Sequence, residues 1–437
     1  MHWPWSRTIR RYARVLLVAP IRDWLRSIRP GRLPRLANAV HRPPSEPEPA
    51  PAPGTAAEPA RPCPPPSRRE WARLVGSLCE WDGYFFSDNL VSNESSYLHQ
   101  ASTLAALPKG LGYLGVGPEQ SFSYLALLEP SLAFVVDIRR DNCLLHLLYK
   151  ALFELSRTRS EWLALLLGRP YDAPLDAGAC SSARELFASL EKTGPSEAAF
   201  EQAHARVIGH LSEFGLGLRR SDYRTIKRLH RQFFTQQLEL SFQLRKPNEQ
   251  RYPSLRALLL SEGPDRAATS FLGTERAFSS VRRLHQEHRI VPVVGDLAAD
   301  HALLAIAREL RRRRLPLGVV YASNVEQYLM EERRFERWIA NLRELPLSSR
   351  AVVLRSYVDQ GKAHPRQWPG HRMTSLAQSA SRFLERQSEH GYQSYWDIVT
   401  DEGLDLGPGA VARPSAAATT DAEARALTAS ALQSARP

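Results

Sequence analysis

Cysteine is scarce in this 437-residue chain, and the four present, Cys63, Cys79, Cys143 and Cys180, show no CxxC or Cys/His ligand spacing. They imply neither a disulfide framework nor a zinc site, so no metal is expected and a reducing cytoplasmic compartment fits best. Long apolar runs are missing as well. The stretch Val15 to Pro20 falls far short of the roughly 20 residues that span a bilayer and is short for a signal-peptide core. The chain carries no G-x-S-x-G elbow, H-E-x-x-H helix or G-x-x-x-x-G-K-[ST] phosphate loop, which removes the support for those hydrolase, metalloprotease and nucleotide chemistries. A large basic face is also lacking on the core. The net charge is +12, but residues 1–70 hold 13 Arg and 5 acids and contribute +8 of it, so no specific nucleic-acid partner is expected.

What is present is organised around Leu111 to Asn142, LGYLGVGPEQSFSYLALLEPSLAFVVDIRRDN. An apolar run, Leu111 to Leu114, leads into Gly115-Val116-Gly117-Pro118. From Gln120 the residues Phe122, Leu125 and Ala126 have helical spacing, which predicts strand, tight turn, helix. A second run, Ala133 to Val136, ends on Asp137, and Leu144, Leu145, Leu148 and Leu152 mark another amphipathic helix. This is a βαβ unit ending in an acid. Glycines at a strand end let a ligand approach the backbone, the next helix turns free N–H groups toward it, and an acid on the neighbouring strand can accept from a ribose diol. The same residues also read as a plain sharp turn with Asp137 as a helix N-cap.

Around this unit the chain divides by composition. Residues 1–29 interleave arginines with Trp3, Trp5, Trp24 and aliphatic residues, a basic amphipathic segment able either to contact a membrane surface peripherally or to dock on the core. Residues 30–67 form a Pro/Ala-rich linker and 407–437 a polar tail, both predicted to be disordered. The folded part is expected over 68–406. Between Asp137 and the next strand lie about 150 residues of helical pattern, too long for one crossover. They are read as a helical insertion at about 158–272, with Tyr223, Phe233, Phe234 and Phe242 as core and Lys227, Arg228, His230 and Arg231 as a solvated helix face. Strand grammar returns at Ile290 to Val294, which ends on Gly295-Asp296-Leu297, then at Leu317 to Tyr321, which closes on Ala322-Ser323-Asn324, and at Ala351 to Tyr357. The expected fold class is therefore α/β, a doubly wound, mostly parallel Rossmann-like sheet with a large helical insertion between the second and third strands. Three polar strand ends, Asp137, Asp296 and Ser323-Asn324, share the edge where ligands bind in such sheets.

Upstream of the glycine turn, FFSDNLVSNESSYLHQ crowds short polar side chains. They fit either the cap of a helix starting near Glu94 or a loop that closes over a ligand. Candidate proton acceptors are Glu94, His99, Glu326, His364, His371 and Asp397, and Arg355, Arg366 and Arg372 are candidates for holding an anionic substrate.

This order of motifs resembles the class I S-adenosylmethionine-dependent methyltransferase fold. The combination YLGVGPEQSFSYLALL, AFVVDIRRDN, VVGDL and YASNVEQYL is similar to a poorly characterised group of bacterial methyltransferase-like proteins. The resemblance implies that Gly115 and Gly117, with Glu119 on the same turn, face the methionine part of S-adenosylmethionine and that Asp137 binds the ribose. It places Asp296 and Leu297 at the adenine, and Ser323 and Asn324 at the transferable methyl. Asn324, Glu94, His99 and His364 are then the expected catalytic residues, acting on an unidentified small-molecule or protein acceptor. The chain departs from the family in having two glycines where three are usual, and in its long insertion. The competing expectations are a methyltransferase-like binding or scaffold protein without turnover and, from Gly115, Gly117 and Asp137 with Arg139 and Arg140, a nicotinamide-dependent oxidoreductase.

Overall fold

The apolar runs become strands Gly112–Val116 (β1), Leu132–Asp137 (β2), Ile290–Val294 (β3), Leu317–Ser323 (β4), Leu347–Val358 (β5) and Met373–Ser379 (β6) of a single sheet. The strand order is β3-β2-β1-β4-β5-β6. β1 to β5 pair in parallel and β6 runs antiparallel to β5. The computed structural model describes residues 63–171, 182–244, 252–264, 266 and 268–401. The basic segment 1–29, the linker up to residue 62 and the tail 407–437 lie outside the described residues.

β1 and β3 are buried along their whole length and β2 and β4 up to their last residue. This is why their sequences read as continuous rather than alternating apolar runs: helices cover both faces of a parallel sheet. Helix Glu275–Gln286 packs on Gln120–Leu128 and on Arg140–Leu155, while Ala302–Arg312 packs on Arg68–Leu78 and Phe335–Glu344. β6 has no counterpart in the sequence reading. Its Thr374, Ser375 and Gln378 are buried polar residues that erase the apolar signature, and Gln378 is there to accept from Arg355 Nη1 at 2.8 Å.

Between β2 and β3 the chain folds into the helices Arg140–Leu155, Arg159–Leu167, Ala183–Leu190, Glu197–Ser212, Arg220–Gln236, Leu255–Leu259 and Glu275–Gln286. Their starts are chemically marked: Thr158, Ser182, Ser196, Ser254 and Thr274 each accept, through the side-chain oxygen, the backbone N–H three residues on. The insertion is tied to the sheet domain by Tyr97, whose Oη donates to Leu258 O at 2.9 Å, and by Tyr124, whose Oη donates to Tyr97 O at 2.9 Å. One expectation on these helices is corrected. His230 is fully buried rather than on a solvated face, with Nε2 on Leu165 O at 3.0 Å and Nδ1 3.4 Å from His204 Nδ1. The cations around it do line the outer side: Arg231 pairs with Glu197 and Glu201, and Lys227 with Glu201. Among the described residues no helix is long and apolar enough to cross a membrane.

Candidate functional site

Three of the expected residue groups meet at the carboxyl edge of β1, β4 and β5. Gly115 lies in the middle of the sheet, paired with Val135 on one side and Tyr321 on the other. A Cβ there would fall 2.2 Å from the Oη of Tyr113, so this glycine is needed for the Tyr113 ring to lie along its own strand. Gly117 has φ +89°, a backbone conformation that disfavours a side chain, and a Cβ would meet Gln120 Nε2 at 2.7 Å. From that position Gln120 Nε2 donates to Tyr321 Oη at 3.0 Å, and Tyr321 Oη donates to Glu94 Oε1 at 2.6 Å.

Glu94 is the hub of the arrangement. Ser323 Oγ donates to its Oε1 and Ser356 Oγ to its Oε2, each at 2.5 Å, and Tyr395 Oη donates to Ser356 O at 3.0 Å. The stretch around Glu94 is a loop rather than a helix start; helical turns begin only at Tyr97 and Ala101, and the side chain is buried. Burial pushes the carboxyl above its usual range, against the three hydroxyls that stabilise its charge. Ser323 ends β4 with φ +52°, a strained conformation for a serine, and this aims the strand end at Glu94. Asn324 follows, with Nδ2 3.4 Å from Tyr328 Oη.

Glu119 stands directly after the glycine turn. Its Oε1 accepts from Ser92 N at 3.1 Å, and Ser92 Oγ accepts from Glu94 N at 3.1 Å, so the two acids share one residue of the polar loop. Burial pushes the Glu119 carboxyl up to about 7. Its Oε2 has no partner, and neither do Gln120 Oε1, both amide atoms of Asn142, or His146 Nδ1. All four side chains are buried, and His146 Nε2 lies 3.0 Å from Gly117 O. Desolvation lowers the imidazole of His146 to about 4, leaving it neutral. Buried polar atoms almost always find partners, so such a group of orphans beside a glycine turn marks where a polar ligand would be satisfied.

Asp137 sits at the end of β2, but its oxygens are already engaged. Oδ1 accepts from Arg139 N at 2.8 Å and Nε at 3.1 Å, and Oδ2 accepts from Nη2 at 3.0 Å. Arg139 also donates to Ser87 O and Asp88 O, at 2.7 Å and 2.6 Å, holding the polar loop against the strand end. At the end of β3, Asp296 Oδ1 accepts from Ala298 N at 2.8 Å and Oδ2 pairs with Arg334 at 2.8 Å, while Leu297 is buried core. Glu80, which the sequence did not single out, accepts from Asp296 N, His301 N and Ala302 N and so fixes this turn. Glu80 lies just past the end of the helix Arg68–Leu78.

The remaining candidates separate. His99 packs on Trp368 and His371, with ring centroids 5.2 Å and 4.7 Å away, and burial lowers it to about 4. His364 is tied down at both nitrogens: Nδ1 accepts from Arg366 N at 3.0 Å and Nε2 lies 2.7 Å from Val399 O. It has no lone pair left for an acceptor proton, which sets it apart from the catalytic role expected for it. Glu326 and Arg355 form a fully buried ion pair, with Trp338 Nε1 also donating to Glu326 Oε1 at 3.0 Å. That pair is structural and leaves Arg355 unable to hold a substrate. Among the described residues no group of three His, Cys, Asp or Glu side chains is placed to hold a metal.

The family model described as "Domain of unknown function (DUF7790)" matches residues 89–215 and 218–406, most of the chain and all of the geometry above from Asn89 onward. The chain belongs to that family. The two matched segments leave out residues 216–217, in the turn between helices Glu197–Ser212 and Arg220–Gln236, so the insertion is part of the family's domain. None of the curated proteins matches the chain. Among solved structures, the rRNA methyltransferase aviRa from Streptomyces viridochromogenes is similar at 11% identity over 71% of this chain and 92% of that one, with a TM-score of 0.26.

Proposed function

We propose that the protein binds S-adenosylmethionine at the carboxyl edge of β1, β2 and β4 and transfers its methyl group to an acceptor held near Ser323 and Asn324. The observation that carries this reading is the group of buried, partnerless polar atoms on Glu119, Gln120 and His146 around the turn at Gly117. These residues would hold the polar end of the cofactor, with Asp137 and Asp296 on the neighbouring strand ends. When bound, the cofactor supplies an electrophilic methyl on a sulfonium, and the protein's task is then alignment and exclusion of water. Glu94 takes the acceptor's proton, with the hydroxyl of Ser323 between it and the edge. Its raised proton affinity suits a base that must hold a proton once the methyl has moved. His99, neutral and near the start of β6, is the second candidate for that role.

The binding-only alternative draws on one observation, the engagement of both Asp137 oxygens by Arg139. Calorimetric titration of the full chain with S-adenosylmethionine and with its demethylated product decides between them. Heat with both, weakened at least ten-fold by Asp137→Ala, supports the cofactor site; no heat with either ligand at high protein concentration overturns it.

A further inference from the structure

Five acidic residues are buried among the described residues: Glu94, Glu119, Asp222, Glu309 and Glu326. Three are answered by a cation. Asp222 pairs with Arg140, Glu309 with Arg312 and Arg313, and Glu326 with Arg355. Glu94 and Glu119 have no ion pair; Ser92 lies between them, its N–H on the Glu119 carboxylate and its Oγ on the backbone N–H of Glu94, while the Glu94 carboxylate is held by the neutral hydroxyls of Tyr321, Ser323 and Ser356. A buried carboxylate without a countercharge is expensive, and a protein that supplies an arginine to the other three has left two unanswered at one place. Glu119 Oε2 moreover has no hydrogen-bond partner of any kind.

We propose that the missing countercharge is the ligand's own, so that the site recognises its cofactor by the positive sulfonium and binds it with release of a proton from the Glu94/Glu119 pair. This rests on the methyltransferase reading given above. In the free protein one carboxyl of the pair holds a proton, in keeping with burial pushing both upward. Arrival of the sulfonium expels that proton, so that two carboxylates face one cation and the net charge of the site stays at one negative. Methyl transfer then converts the sulfonium to a neutral thioether as the S–CH3 bond breaks and the acceptor–CH3 bond forms, and the proton leaving the acceptor returns to the carboxylate. The net charge is the same at each stage, and the product is left without the attraction that held the cofactor. The sulfonium is thus favoured over the thioether increasingly as pH rises.

Titration calorimetry of the full chain with S-adenosylmethionine, with the thioether product and with sinefungin, whose amine places a positive charge where the sulfonium was, tests this at pH 6, 7 and 8 in two buffers of different ionisation enthalpy. The expected result is proton release with the two cationic ligands and none with the thioether. The ratio of sulfonium to thioether affinity should rise about ten-fold from pH 6 to pH 8, as displacement of one proton from a group titrating near 7 requires. Glu119→Gln or Glu94→Gln should flatten the ratio while thioether binding persists, which also shows that the variant is folded. If both ligands bind wild type with a pH-independent ratio and no proton release, the charge mechanism is overturned and the cofactor site stands. The mechanism is likewise overturned if both single variants keep the full pH dependence. If neither ligand binds, it is the methyltransferase reading that falls.

Discussion

Arg139 grips both carboxylate oxygens of Asp137, two residues before it, and with its other nitrogen holds Ser87 O and Asp88 O. The acid that ends β2 is thus the anchor by which the polar loop is pinned to the sheet. Arg139→Met should release that loop and take two side-chain donors from the largely covered Asp137, at a cost of about 3 kcal/mol, the range for breaking a buried pair from one side. Urea unfolding measures it; a loss below about 0.5 kcal/mol would mean the grip is incidental.

The Glu326–Arg355 pair, fully buried beside Trp338 and Gln378, makes a sharper case. Arg355→Met should lower stability by about 3–5 kcal/mol because Glu326 is left charged in the interior, whereas the double change Glu326→Gln with Arg355→Met should recover a large part of it. Additive losses in that double-mutant cycle would refute the pairing.

Gly117 holds φ +89° with Gln120 Nε2 packed over its open side. Gly117→Ala therefore meets both a strained backbone and a contact of 2.7 Å, which only a shift of the Gln120 side chain relieves. Moving Gln120 breaks its bond to Tyr321, so a loss of about 1–3 kcal/mol by thermal or urea unfolding should be accompanied by weaker S-adenosylmethionine binding. Unchanged stability and binding would show that the turn tolerates a side chain.

Acid should act on the fold in two opposing ways between about pH 7 and pH 4.5: the buried histidines lose stability as pH falls, while Glu119, whose carboxyl burial pushes up to about 7, gains it. Burial lowers His146, His230 and His288 to about 4 and His285 further still. Each has a folded-state proton affinity below that of the unfolded chain, whose histidines titrate near 6.5. Between about pH 6.5 and pH 4 the unfolded chain therefore binds protons that the folded one does not, and the stability present above pH 6.5 is lost as pH falls. For the fully buried His146 and His230 the loss is roughly 2 kcal/mol each at pH 5. The change in unfolding midpoint from about pH 7.5 to 5.0 should become less destabilising in His230→Gln and more destabilising in Glu119→Gln; a pH profile that His230→Gln leaves unchanged contradicts the buried neutral ring.

Tyr321 Oη bridges Gln120 and Glu94. Tyr321→Phe leaves Gln120 Nε2 without a partner and takes one of three hydroxyl donors from Glu94, so it should destabilise by about 1–2 kcal/mol and raise the proton affinity of Glu94 further. In methyl-transfer assays, the pH at which the rate rises should move upward; an unshifted profile removes Glu94 from the reaction.

The sequence by itself determined the backbone plan. Apolar runs with positive-φ glycines and capping serines and threonines are local signals, and they placed β1 to β5, the helices between them and the polar strand ends within a few residues of where they lie. What belongs to the tertiary structure is which polar groups pair. Glu94 lies 229 residues from Ser323 and 262 from Ser356, and its neighbourhood exists only when β1, β4 and β5 are side by side. The same holds for β6, whose polar face is buried only because Arg355 needs Gln378, and for His230, whose polar neighbours in sequence suggested solvent while Leu165 and His204 close over it. It holds above all for the contrast between Glu326, which finds Arg355, and Glu94 and Glu119, which find no cation. A carboxylate's meaning is set by what stands against it in a low-dielectric interior, and that is decided by contacts between distant parts of the chain.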